Sequence, residues 1–133
     1  MMLMNLMALL ATTLVSGDAQ ERRDLVEVDS GEAYGGGTYV ASIDRASRKK
    51  VAEGVAVTQH YVFSKPREDG AVDAVTEYVV DCAMPQYKTI RDYRVDRAGK
   101  LISEAPITRL NGEWRYAARP GMSQKIVDAV CTG

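Results

Sequence analysis

From residue 38 onward, apolar and polar side chains alternate with a period of two, the pattern of strands with one buried face. Tyr39, Ala41 and Ile43 alternate with Thr38, Val40 and Ser42. The charged run from Asp44 to Lys50 then reads as a turn. A long strand follows over 51–63, with Val55, Val57, Tyr61 and Phe63 on one face and Ala56, Thr58, His60 and Val62 on the other. Turn chemistry at Pro66 and Gly70 ends it. In the next strand Val72, Ala74, Thr76, Tyr78, Val80 and Cys82 share a face opposite Asp73, Glu77 and Asp81, which predicts that Cys82 points inward. After a turn at Met84-Pro85, Tyr87, Thr89, Tyr93 and Val95 mark a further strand. Residues 96–100 suit a hairpin, with Gly99 free to take a positive φ, and Leu101 and Ile102 begin the returning strand.

The pattern changes at both ends of the chain. Near the C-terminus, a turn at Asn111-Gly112 leads into a short strand around Trp114, and Pro120-Gly121 stops it. Ile126, Val127 and Val130 then recur at helical spacing, with Ser123 placed to cap the first turn. A helix of about ten residues is marginal in water and needs tertiary anchoring. The predicted fold is α+β and predominantly β: a meandering antiparallel sheet of five or six strands with one C-terminal helix. At the other end, residues 1–15 carry no charged side chain, and Ser16-Gly17-Asp18-Ala19 offers small residues at the positions a signal peptidase requires. The apolar run is shorter than the roughly 20 residues of a membrane-spanning helix, and no Cys follows it to carry a lipid. Three segments are therefore expected: a signal peptide over 1–19, a flexible leader over 20–37 with a short edge strand at 25–28, and a folded domain over 38–133. The leader ends in Gly35-Gly36-Gly37, which lacks the Lys-Ser/Thr pair and the following helix of a phosphate loop.

Composition narrows the classes. With 133 residues, 46% of them apolar, the chain suits one small domain and excludes a multidomain enzyme, a coiled coil or a disordered tail. Seventeen basic and eighteen acidic residues give a net charge of −1, without the basic excess of a nucleic-acid binder. Loss of Asp18 with the signal brings the balance to zero. The only two cysteines, Cys82 and Cys131, fall in the exported part, where thiols pair and one connectivity exists. Their bridge closes a loop of about 50 residues, for which chain entropy predicts roughly 4 kcal/mol.

Candidate chemistry is sparse. His60 is the single imidazole and lies in a strand without a nucleophile motif beside it, so it reads as structural rather than as a general base. Asp73, Glu77 and Asp81 fall on the expected solvent face, where acids serve solubility and cross-strand pairing. No catalytic, cofactor-binding or metal-binding set is expected. Arg45, Arg48, Lys49 and Lys50 form a basic turn that could contact a polyanion or an acidic protein surface.

Taken in order, several stretches resemble the surface-adhesin protein E family: Tyr78-Val79-Val80-Asp81-Cys82, the strand around Arg91-Asp92-Tyr93, the turn from Asp96 to Gly99, the single Trp114, Arg119-Pro120-Gly121-Met122-Ser123, and the closing Ala129-Val130-Cys131. Thr38 to Asp44 and Val51 to Val57 resemble its early strands. The likeness spans 38–131, with Met122 inserted into the Pro-Gly-Ser motif. It implies an exported, disulfide-bonded sheet-plus-helix domain of bacterial adhesin type, without enzymatic activity or cofactor. Two functions are expected from this. The first is a non-enzymatic envelope or secreted binding protein, located in the periplasm, on the cell surface or outside, with a protein or polyanion partner. The alternative is a periplasmic inhibitor or accessory protein of a hydrolase. Neither nucleic acid nor a stable membrane span after signal cleavage is expected.

Overall fold

Seven strands and a helix follow one another along the chain in the computed structural model, which describes residues 23–109, 111–118 and 120–132. The expected signal peptide lies outside these residues. The elements are β1 (Leu25–Glu32), β2 (Thr38–Val51), β3 (Gly54–Phe63), β4 (Asp73–Asp81), β5 (Gln86–Val95), β6 (Leu101–Ala105), β7 (Arg115–Tyr116) and α1 (Met122–Cys131). The strands form one sheet in the order β1-β2-β3-β4-β5-β6, and β7 pairs with the other end of β5. All neighbours are antiparallel, as successive hairpins require. The expected meander with one C-terminal helix is the observed fold.

The helix packs on one face of the sheet. Its three apolar residues, Ile126, Val127 and Val130, are buried against Val28, Ala41, Ile43, Val57, Tyr78 and Val80. Only these three are fully buried, with Met122 and Ala129 partly buried beside them, so the covalent link matters. Cys82 and Cys131 are bonded, 49 residues apart in sequence and 5.6 Å between Cα atoms, and join the end of β4 to the last residue of α1.

Four details differ from the sequence expectation. Residues 25–32 of the expected leader form a full strand paired with β2, because Val28 drops into the core while Glu27 faces solvent and Asp29 accepts from the Tyr39 hydroxyl. Gly35, Gly36 and Gly37, all at positive φ, make the β1–β2 hairpin loop. The charged run after Asp44 is not a turn. It is an irregularity within β2, between the pairs Asp44–Thr58 and Lys49–Ala56. Side chains stand in for the ladder there: Asp44 Oδ1 accepts from the Ala46 amide, and Ser47 Oγ accepts from the Thr58 amide. The chain reverses instead at 52–53. Gly54 then passes so near β4 that a Cβ on it would stand 2.2 Å from the Val80 carbonyl oxygen.

Cys82 is exposed rather than inward, because β4 and its alternation stop at Asp81. Ser123 does not cap α1. The N-cap is Gly121, and the Ser123 hydroxyl accepts from the Ala118 amide, fastening the approach to the helix.

Candidate functional site

The helix begins at Met122, against Tyr61, and ends at Cys131, bonded to Cys82. It covers Ile43 and Val57 and leaves the Tyr39 end of β2 and the Phe63 end of β3 beyond its first turn. Tyr39 on β2 and Tyr61 and Phe63 on β3 stand at this boundary, on the same face as the core because they continue its two-residue alternation. The Tyr39 and Tyr61 rings stack 5.1 Å apart with 24° between their planes. Both hydroxyls are engaged within the protein: Tyr39 donates to Asp29 Oδ2 at 2.9 Å, and Tyr61 donates to the Met122 sulfur at 3.4 Å. The bond to Asp29 raises the Tyr39 pKa, and burial raises that of Tyr61.

Two guanidinium groups lie over the Phe63 ring, Arg67 at 5.2 Å and Arg94 at 5.9 Å from its centroid. Arg94 forms a fork with Asp69, Nε to Oδ2 at 2.7 Å and Nη2 to Oδ1 at 3.1 Å. That hydrogen bonding, with the Ala71 amide, lowers the Asp69 pKa to about 2. Arg67 donates to the carbonyls of Tyr34 and Gly36, holding the β1–β2 hairpin loop over the β3–β4 loop.

Three clefts meet along these side chains. One of about 330 Å³ lies between Glu32, Tyr34, Tyr39, Tyr61 and Phe63. A second, about 420 Å³, continues from Tyr61 and Phe63 over Ala74, Thr76, Ser103 and Ala105. A third of about 550 Å³ opens between Tyr34, Arg67, Asp69 and Arg94. Tyr61 and Phe63 are shared by the first two, and Arg94 by the last two, so they form one trough. Ala74, Thr76, Ser103 and Ala105 lie in it beside Asp92 and Arg94, and aromatic and charged side chains border it.

The other face of the sheet holds the single histidine. His60 Nδ1 lies 2.8 Å from Asp73 Oδ2, with both side chains nearly buried. Ser42 is its neighbour on β2 and Val75 its neighbour on β4. Asp73 Oδ1 is buried without a partner. His60 lines none of the three clefts. The other two acids of β4 have separate uses. Glu77 sits 3.5 Å from Arg91, and Asp81 accepts from the Ala83 and Met84 amides at the turn beyond β4. Among the described residues no three His, Cys, Asp or Glu side chains gather as metal ligands, and no helix is long and apolar enough to cross a membrane.

The expected basic turn divides in two. Arg45 donates to the Thr132 carbonyl at 2.8 Å and Arg48 to the Val130 carbonyl at 3.3 Å, so both serve the end of α1. Lys49 and Lys50 are exposed. Sequence alternation placed Tyr39, Tyr61 and Phe63 on a buried face but did not single them out for function. Nothing in the sequence says where α1 lies along the strands, so nothing in it separates these three from covered positions. The chain matches no known protein family, no curated protein and no solved structure.

Proposed function

We propose that this chain is an exported bacterial binding domain of adhesin type, non-enzymatic, that holds a macromolecular partner along the trough between Tyr34, Tyr61, Phe63 and β6. The carrying observation is the trough itself: a concave surface that sets aromatic rings beside charged and hydroxyl side chains, the combination a recognition site needs. The disulfide fits an oxidising, exported location. The likeness of 38–131 to the surface-adhesin protein E family points the same way and rests on the residues quoted for it. The His60 imidazole, committed to Asp73 and away from the clefts, supports a structural role for the only histidine.

The test compares two activities of the purified protein: retention on intact cells and immobilised matrix proteins, and inhibition of envelope hydrolases. Retention without inhibition supports the proposal. Inhibition of a hydrolase without surface retention contradicts it and favours the inhibitor alternative.

A further inference from the structure

Resting on the binding-domain reading above, we infer that the occupant of the trough is an uncharged glycan chain, its sugar rings laid against Tyr34 and Tyr61 and its hydroxyls bonded to Asp92, Thr76 and Ser103. Charge limits the choice first. Arg94 is neutralised by Asp69. Arg67 keeps its charge while donating to two backbone carbonyls, but Glu32, Glu68 and Asp92 outnumber it along the trough. A polyanion would meet more carboxylates than cations there, which disfavours the polyanion class expected for the basic stretch of β2.

Hydrogen bonding limits it further. Among the polar side chains facing the floor, Asp92 is an acceptor only, and the hydroxyls of Thr76 and Ser103 can accept as well as donate. The Thr76 hydroxyl meets Asp92 only at 3.4 Å, which leaves most of the carboxylate free. Such a floor needs a ligand rich in donors. A proline-rich peptide, the other occupant of aromatic grooves, presents mainly carbonyls and lacks N–H groups at its prolines. Those carbonyls need donors, yet the hydroxyls of Tyr39 and Tyr61 are already given to Asp29 and Met122, which leaves Tyr34 as the one free phenol among these three. A sugar ring supplies a donor and an acceptor at each hydroxyl and an apolar C–H face for a flat ring.

The aromatic platforms are also suitably exposed. Tyr34 is 99% exposed on the three-glycine hairpin and borders two of the clefts. Its loop is fastened from below by Arg67, so the ring stands beside the trough without covering it. Ala74, Ser103 and Ala105 keep the floor low enough for a ring to lie against the sheet.

Nuclear magnetic resonance of the isotope-labelled protein tests this, with the tetramers of N-acetylglucosamine, cellulose and amylose as neutral probes. A proline-rich peptide and heparin serve as the competing classes. Saturable shifts of the Phe63, Thr76 and Ser103 amides with at least one neutral tetramer are expected. Tyr34→Ala should weaken that binding about threefold to tenfold, and Asp92→Asn should weaken it with the remaining spectrum unchanged. Absence of shifts with all three tetramers overturns the glycan assignment. Trough shifts with the peptide instead overturn it while leaving the binding-domain reading intact; trough shifts with heparin do the same.

Discussion

Arg45, in the middle of β2, donates through Nη2 to the carbonyl of Thr132, 87 residues further along the chain. With Arg48 on the Val130 carbonyl, it places two guanidinium groups at the end of a helix that has no basic residue in its own last turn. Terminal carbonyls lack intrahelical partners, and the helix dipole is negative there. Two of the four residues expected to meet a partner are therefore part of the fold. Arg45→Ala or Arg48→Ala should each lower stability by about 1 kcal/mol. Lys49→Ala and Lys50→Ala should change it by less than about 0.5 kcal/mol. Urea unfolding of the four variants distinguishes the two pairs.

The disulfide holds the same end of the helix covalently. Cys82→Ala with Cys131→Ala should cost about 2–4 kcal/mol and should free α1 before the sheet. Hydrogen exchange reads this directly. Amides of 126–131 should lose protection in the variant while those of β3 and β4 keep it.

Gly54 begins β3 at a φ of 152°, and a Cβ there would stand 2.2 Å from the Val80 oxygen. The obstacle is backbone of a central strand, which cannot swing aside as a side chain would. Gly54→Ala should destabilise by at least about 2 kcal/mol, measured as a lower urea midpoint at unchanged m-value. Gly36, with nothing within 4 Å of its Cβ position, has a positive φ but no such collision. Gly36→Ala should cost less.

Burial, and then the neighbouring Tyr87 and Asp92 charges, push the Tyr78 pKa from 10.0 up to about 12. Between those values the folded chain keeps a proton that the unfolded chain releases. Its contribution to stability is therefore present below pH 10 and lost as pH rises toward 12. Tyr78→Phe should flatten the decline of stability over this interval. Unfolding free energies of both proteins across the alkaline range check it.

Alternation made most strands legible because one face of the sheet packs under the helix, while the other buries a smaller set, Ser42, His60, Val75 and Val79. It failed where the backbone departed from that scheme. β1 buries Val28 alone, so no periodic signal separates it from a loop. The irregularity between Asp44 and Lys49 resembled a turn, since Asp44 and Ser47 replace ladder bonds with side-chain bonds. Cys82 resembled a buried position only while β4 was extended one residue too far. The trough was the least legible feature. Tyr61 and Phe63 read like any inward residues until the position of α1 shows which inward residues are covered.

The trough is the centre of this account, and one comparison tests it most directly. Wild-type protein, Tyr34→Ala and Ser103→Trp are matched for stability and measured for retention on intact cells and matrix proteins. Tyr34 is fully exposed and Ser103 is exposed on the floor, so neither change empties the core. Retention by wild type that falls in both variants is the expected result. Retention unchanged in both would place the binding surface elsewhere on the molecule and contradict the account.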